Sequence, residues 1–131
     1  MMTPTLLSAA LLLLLLSGAP AADSQTPISI NVMNSVTNAP NQTYSTHVVF
    51  RGILLGAMRR LQASNVGFSF TYSEDSNYGP FLESVNGLDR CSHDRTYWEL
   101  LVKNGTVTAD VGIGCYIPNA NETIVLNFKQ Y

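Results

Sequence analysis

Residues 96–105 read Thr-Tyr-Trp-Glu-Leu-Leu-Val-Lys-Asn-Gly, and this stretch decides the fold class. Alternate positions of an extended chain share a face. One face is then formed by Thr96, Trp98, Leu100 and Val102, and the other by Tyr97, Glu99 and Leu101. The Asn-Gly pair that follows is typical of a tight turn between antiparallel strands. The stretch therefore predicts a β-strand after which the chain turns back.

Similar patterns lie on both sides of this strand. Alternating or compact apolar runs predict further strands at 28–32, 47–50, 68–72, 81–85 and 124–128. A second Asn-Gly pair, Asn86-Gly87, follows the 81–85 run and predicts another turn. Residues 34–46 are rich in Asn, Ser, Thr and Pro, so we expect a loop there.

One segment, from Gly52 to Ala63, has a helical period instead. Its apolar residues recur at i, i+3, i+4 and i+7, namely Leu54, Ala57, Met58 and Leu61. Asn65 and Gly67 are typical of the end of such a helix. One helix among about six strands predicts an α+β domain with mainly antiparallel pairing.

The N-terminal residues have the pattern of a cleavable signal peptide. Leu6 to Leu16 is apolar apart from Ser8, and this run is shorter than the roughly 20 residues that span a bilayer. Ala19-Pro20-Ala21 then has the A-x-A form of a cleavage site. We expect a signal peptide at residues 1–21 and one secreted, extracellular domain at residues 22–131. The alternative is an uncleaved membrane anchor.

Two features bear on covalent modification of the secreted domain. Its two cysteines, Cys91 and Cys115, predict a disulfide, because an even cysteine count is typical of one in an oxidising compartment. By closing the loop between them, this bond would stabilise the folded domain by about 3 kcal/mol. The alternative is two free thiols. Three Asn-x-Thr sequons predict N-glycosylation sites at Asn41, Asn104 and Asn121, each in a predicted turn or loop.

Charge and motif spacing exclude several function classes. The formal net charge is −2 and there is no basic run, which argues against nucleic-acid partners and membrane-surface binding. The residues of a catalytic constellation are not found at a suitable spacing, so we expect no enzyme activity. Cys91-Ser92-His93-Asp94 is more typical of a solvated turn than of a metal site, and we expect no bound metal and no membrane insertion.

Aromatic residues flank a Gly-Pro bend at Asn77 to Leu82, and Tyr97-Trp98 adds a second aromatic pair. Glycine lets a backbone approach a ligand closely, and proline fixes the bend in advance. Apolar walls with a few backbone donors and acceptors are typical of small-molecule pockets. They are equally typical of an ordinary core, so the residues alone leave both interpretations open.

Several of these segments together resemble one family. Tyr78 to Gly87 resembles the Gly-Pro-aromatic-Leu-x-Ser-Val-x-Gly segment of the cobalamin carriers, which include transcobalamin and gastric intrinsic factor. Thr96 to Leu101 resembles their Thr-Tyr-Trp-Gln-hydrophobic-Leu segment, and Tyr116 to Tyr131 is similar to their C-terminus. The resemblance implies the small C-terminal β-domain of these carriers, standing alone without their helical barrel.

In that family vitamin B12 is held between this domain and the barrel. The resemblance thus implies cobalamin as a possible ligand, with no catalytic cofactor. It implies ligand contacts at Asn77, Tyr78, Gly79, Pro80, Phe81, Leu82, Trp98, Glu99, Leu100, Leu101, Val102, Lys103, Asn104, Gly105, Thr106 and Val107. Glu99 stands where the carriers have Gln.

The expected function is a secreted, non-enzymatic protein of the cobalamin-binding or transport type. The alternative is a secreted interaction module on the same scaffold that has lost the vitamin. Its partner would then be another secreted protein or a receptor rather than a small molecule.

Overall fold

The computed structural model describes residues 25–49, 51–77 and 79–131, so the expected signal peptide lies outside the described residues. One helix and eight strands occur in this part of the chain. In order they are β1 Gln25–Asn34, β2 Gln42–Val49, α1 Leu54–Ala63, β3 Phe70–Asp75, β4 Gly79–Val85, β5 Leu88–Asp89, β6 Thr96–Val102, β7 Val107–Thr108 and β8 Glu122–Gln130. The predicted α+β class is confirmed.

The strands form two sheets. The larger has the order β2-β1-β8-β6-β7, and the smaller has the order β3-β4-β5. Strand β8 pairs in parallel with β1 on one side and antiparallel with β6 on the other. The remaining strand pairs are antiparallel. The parallel pair joins the first and last described strands at the middle of the large sheet.

One face of the large sheet is buried by the helix and the small sheet. Alternate residues of the central strands face this core, namely Ile28, Ile30 and Val32 on β1 and Ile124, Leu126 and Phe128 on β8. The apolar stripe of α1 belongs to the same cluster, as do Phe70, Leu82 and Val85 of the small sheet. Burying each such side chain stabilises the fold by about 1.5–3 kcal/mol.

Both predicted Asn-Gly turns are confirmed, and their backbone angles explain the residue types. Asn86 and Gly87 have φ of 51° and 84°, and they connect Val85 directly to its partner Leu88. Two successive positive φ values define the hairpin turn that suits twisted strands. Asn104 and Gly105 also have positive φ, 60° and 82°, between β6 and β7.

The polar segment 34–46 is only partly a loop, which corrects the sequence-based expectation. Strand β2 begins at Gln42 and pairs with β1 from there on. It is an edge strand, with most of its residues exposed or half-buried, so its polar side chains remain in water. Polar composition therefore did not prevent strand pairing. The helix begins at Leu54, two residues later than Gly52.

The described ranges contain one helix, α1, of 10 residues. Within them, the structure contains no helix that is long and apolar enough to cross a membrane.

Candidate functional site

A cleft of about 260 Å³ opens between the two sheets. It lies among β4, β6 and the segment that follows β7. Its walls are formed by Pro80, Phe81, Leu82, Tyr97, Trp98, Glu99, Leu100, Thr108, Ala109, Asp110, Val111, Gly112 and Ile113. Two predicted ligand segments that are distant in sequence, 80–82 and 98–100, thus meet in one cleft.

The β4 wall presents Phe81, whose ring is held by a neighbouring cation. The Arg90 guanidinium carbon lies 4.8 Å from the ring centroid. Arg90 donates two hydrogen bonds to the Glu83 carboxylate, at 3.0 and 3.3 Å. The Ser73 hydroxyl, which donates to the same carboxylate, lowers the pKa of Glu83 most; Arg90 lowers it further, against the opposing effect of burial. The cation–π contact and ion pair together orient the aromatic wall.

The β6 wall includes Trp98, whose indole is packed into the core. Trp98 is 7% exposed, and its ring lies 5.0 Å from that of Phe128. The indole N–H donates to the Leu88 carbonyl oxygen at 2.9 Å. The sequence left core packing and cleft lining as alternatives. Trp98 belongs both to the core and to the lining of the cleft.

The edge of β6 is open where it faces the cleft. Strand β7 pairs with β6 only at Leu101 and Val102, and the Ala109 N–H then donates to the Leu100 carbonyl at 2.9 Å. Beyond that bond the chain leaves the sheet. Among the described residues, no backbone partner reaches Trp98 from this side. A strand edge of this kind offers one donor and one acceptor to a ligand.

The third wall, residues 108–113, is anchored to the start of the helix. The backbone N–H groups of Leu54 and Leu55 donate to the carbonyls of Tyr116 and Ile113, at 2.8 and 2.9 Å. The first N–H groups of a helix have no partner within it, and here the loop supplies one. This wall was not predictable from the sequence, because residues 108–113 have no strand or helix periodicity and no aromatic side chain.

Glu99 is the buried charged residue of the cleft, at 7% exposure. Its carboxylate accepts from the Thr108 hydroxyl at 2.9 Å and from the Asn127 amide at 3.5 Å. The Lys129 ammonium lies 3.7 Å away. These contacts link β6 to β7 and β8.

Those of the remaining predicted ligand residues that the structure describes do not line the cleft. Asn77 is exposed before β4, Gly79 adjoins the wall with φ of +72°, and Tyr78 lies outside the described residues. Residues 101–107 form the end of β6, the turn and the start of β7. They do not line the cleft.

A buried carboxylate holds the 103–107 turn in place. Glu122 accepts from the Lys103 N–H, the Tyr116 hydroxyl and the Asn119 N–H, at 2.6, 2.6 and 2.9 Å. Burial by itself would raise the pKa of Glu122, but these donors outweigh it and lower that pKa. Burial, then the bond to Glu122, raises the pKa of Tyr116 to about 12.

The predicted disulfide is not formed in the structure. Cys91 and Cys115 are free thiols, the first half-buried and the second exposed. The Cys91 backbone forms hydrogen bonds with that of Thr96 at the start of β6. Cys115, in contrast, lies in the turn that contacts the first turn of α1. The two cysteines are thus held by different parts of the fold.

The remaining sequence candidates are on the surface. His93 and Asp94 are exposed in a turn, and the described residues include no group of three potential metal ligands. The sequon residues Asn41, Asn104 and Asn121 are also exposed. The Asn104 side-chain oxygen accepts from the Thr123 N–H at 2.8 Å.

Comparison with known proteins gives a consistent set of similarities. Residues 54–130 match the family model described as "Domain of unknown function (DUF4430)". Human Transcobalamin-1 is 36% identical over 112 residues, which are 83% of this chain and 24% of the relative. Dog Cobalamin binding intrinsic factor is 29% identical over 118 residues, 88% of this chain and 28% of the relative.

A solved structure agrees with these sequence matches. The crystal structure of haptocorrin in complex with Cbi superposes with a TM-score of 0.71 at 25% identity. The match covers 82% of this chain and 26% of haptocorrin. The chain therefore spans about a quarter of the length of the relatives it matches.

Proposed function

Because the chain belongs to the DUF4430 family and has the fold of the cobalamin carriers' C-terminal domain, we propose that it is a secreted, non-enzymatic protein that binds a cobalamin-type corrinoid. The ligand occupies the cleft between β4, β6 and residues 108–113. The names of two relatives and the Cbi bound to haptocorrin support this ligand class. Export by the signal peptide at residues 1–21 belongs to the same proposal.

The observation that carries the proposal is the meeting of two chain segments in one cleft. Pro80–Leu82 and Trp98–Leu100 were both expected to contact a corrinoid, and they come from different sheets. The cleft combines an aromatic wall, an apolar wall and an open strand edge. Ligand pockets typically combine apolar surface with a few well-placed polar groups in this way.

The affinity of this domain for a corrinoid is expected to be modest. Its cleft of about 260 Å³ lies just below the range of roughly 300–1,000 Å³ for ligand pockets, which bury most of a ligand's surface. A corrin ring bound in this open cleft keeps one face in water. The apolar gain is then about half, while the cost of immobilising the ligand remains. We expect a Kd of about micromolar or weaker.

Tryptophan fluorescence tests the proposal, because Trp98 is the single tryptophan and lines the cleft. Cyanocobalamin is titrated into the protein, with correction for its absorbance. We expect saturable quenching, which Phe81→Ala weakens about tenfold in Kd by removing the aromatic wall. Val66→Ala, a truncation at a 53% exposed site outside the cleft lining, is the control and should titrate as wild type.

Two outcomes would contradict the proposal. One is the absence of saturable quenching up to millimolar ligand. The other is a Phe81→Ala variant that folds, by its near-UV circular dichroism, and binds as tightly as wild type.

The interaction module is the second candidate, and exposed apolar residues beside the cleft favour it. Val111 is 45% exposed on the third wall, and Ile117 is 51% exposed just beyond that wall. Such residues are typical of protein contact sites when they cluster. A pull-down on immobilised cobalamin, with and without other secreted proteins from the same source, separates the candidates. Retention that requires a partner supports a shared site, whereas failure in both arms favours an interaction module without the vitamin.

A further inference from the structure

The cleft is acidic, and among the described residues none that lines it is basic. Among the thirteen residues of its walls, the charged ones are Glu99, which is buried, and Asp110, which is exposed at the rim. Arg90 is not a lining residue; its guanidinium lies over the Phe81 ring and is already paired with Glu83. An anionic group that enters the cleft therefore meets two carboxylates.

The Glu99 carboxylate retains unused capacity to accept hydrogen bonds. A carboxylate has about four acceptor positions. Glu99 makes one short hydrogen bond, to Thr108, and its other contacts, to Asn127 and Lys129, are at 3.5 and 3.7 Å. The Lys129 side chain is 47% exposed, so water screens much of its charge. Glu99 lines the cleft, so a ligand bound there lies beside a negative charge in partly buried surroundings.

We propose that Glu99 makes the cleft selective for neutral carboxamide groups on the corrinoid periphery and against carboxylates. This inference rests on the proposed function. A carboxamide N–H donates to the Glu99 carboxylate, and its carbonyl accepts from the Trp98 backbone N–H at the open edge of β6. A carboxylate at the same place has no hydrogen to donate, and it lies against a like charge that solvent screens poorly. Specificity of this kind arises from repulsion of the wrong ligand as much as from contacts with the right one.

The test compares cyanocobalamin with its separated monocarboxylic acids, each made by hydrolysing one peripheral propionamide. We expect wild type to bind at least one of these acids about tenfold or more weakly than the parent, which corresponds to about 1.4 kcal/mol. Glu99→Gln preserves side-chain shape and the acceptor for Thr108 but removes the charge. In that variant the Kd values of parent and acid should agree within about twofold.

Glu74→Gln is the matched control, because it makes the same change of charge at an exposed residue outside the cleft lining. This variant should have the same ratio of Kd values between acid and parent as wild type. Lys129→Met is a second variant that does not depend on Glu99→Gln folding. Loss of the nearby cation leaves Glu99 less compensated, so discrimination should increase about threefold.

The results separate this inference from the function on which it rests. If wild type binds cyanocobalamin and all of the monoacids equally, the selectivity proposal is overturned and corrinoid binding stands. Unchanged discrimination in both Glu99→Gln and Lys129→Met would overturn it as well. If wild type does not bind cyanocobalamin at all, the proposed function fails and the inference fails with it.

Discussion

At the scale of single residues, Glu122 connects three separate backbone segments through one carboxylate. It accepts from Lys103 in the β6–β7 turn, from Tyr116 after the third cleft wall and from Asn119 before β8. Hydrogen bonds to an ionised acceptor are about twice as strong as neutral ones. The pKa of Tyr116 is raised to about 12, so its hydroxyl keeps its proton and donates even above the ordinary tyrosine pKa of 10.0.

Glu122→Gln should lower the free energy of unfolding by about 2–3 kcal/mol. The glutamine has one acceptor oxygen, and its NH₂ group faces a donor, which leaves one part-buried backbone N–H, that of Lys103 or of Asn119, unpaired. Urea denaturation at pH 7 measures the change. Glu74→Gln, at an exposed site, should stay within about 0.5 kcal/mol of wild type. Equal midpoints for the two variants would show that Glu122 contributes little.

Acid should remove the stabilisation by Glu122 and Glu83. Both have pKa values lowered in the folded protein, so their contribution is complete above the unfolded value of about 4.3. It is lost as the pH falls from there through the lower folded pKa values. Denaturation at pH 7, 5, 4 and 3 should show this loss mainly below about pH 4.5. Glu122→Gln should have a shallower acid dependence, and an identical one would contradict the assignment.

The thiols provide a further check at residue scale. Because the structure has free cysteines, native protein without reductant should release two equivalents in a thiol assay. The exposed Cys115 should react faster than the half-buried Cys91. Cys115→Ser identifies the fast phase by removing it. Protein that reacts only after reduction would show that the bond expected from the cysteine count does form.

At the scale of elements, the third cleft wall is held between the helix and β4. The carbonyls of Ile113 and of Tyr116, just beyond the wall, accept from the first N–H groups of α1, and Gly114 lies against the ring of Pro80. A Cβ on Gly114 would lie 2.7 and 2.8 Å from two ring carbons of Pro80. A proline ring cannot rotate away, so the wall itself has to move.

Gly114→Ala should therefore destabilise the fold by about 1–3 kcal/mol and weaken corrinoid binding. Gly56→Ala is the matched control. Gly56 is in α1 and has nothing within 4 Å of an added Cβ, so alanine should stabilise the helix by about 0.5–1 kcal/mol. Thermal denaturation should show a lower midpoint than wild type for Gly114→Ala and a higher one for Gly56→Ala. Destabilisation by the two substitutions alike would contradict the packing described for Pro80.

The elements with a local signal were predictable, and those set by distant pairing were not. The alternation in 96–102, the helical stripe of α1 and the two Asn-Gly turns are each encoded within a few residues. The start of β2 and the parallel pairing of β1 with β8 depend on partners far along the chain. The polar composition of residues 42–46 predicted a loop, whereas they belong to an edge strand. Edge strands tolerate polar residues, so composition alone does not distinguish the two.

At the scale of the whole molecule, the domain has one cleft lined by two strands and a loop. Resemblance to the carriers identified the β4 and β6 segments, which contain the aromatic residues. It did not identify residues 108–113, whose place in the cleft follows from hydrogen bonds to α1 rather than from their own side chains. A chain that spans about a quarter of its relatives thus retains a formed cleft with one open side.

The most direct test of corrinoid binding in this cleft is a map of backbone amide chemical shifts during titration with cyanocobalamin. We predict saturable shifts concentrated at residues 81–82, 97–100 and 108–113. The β1–β2 hairpin, which lies outside the cleft lining, should stay unchanged. Shifts that saturate only at the hairpin, or no shifts with millimolar ligand, would contradict the account.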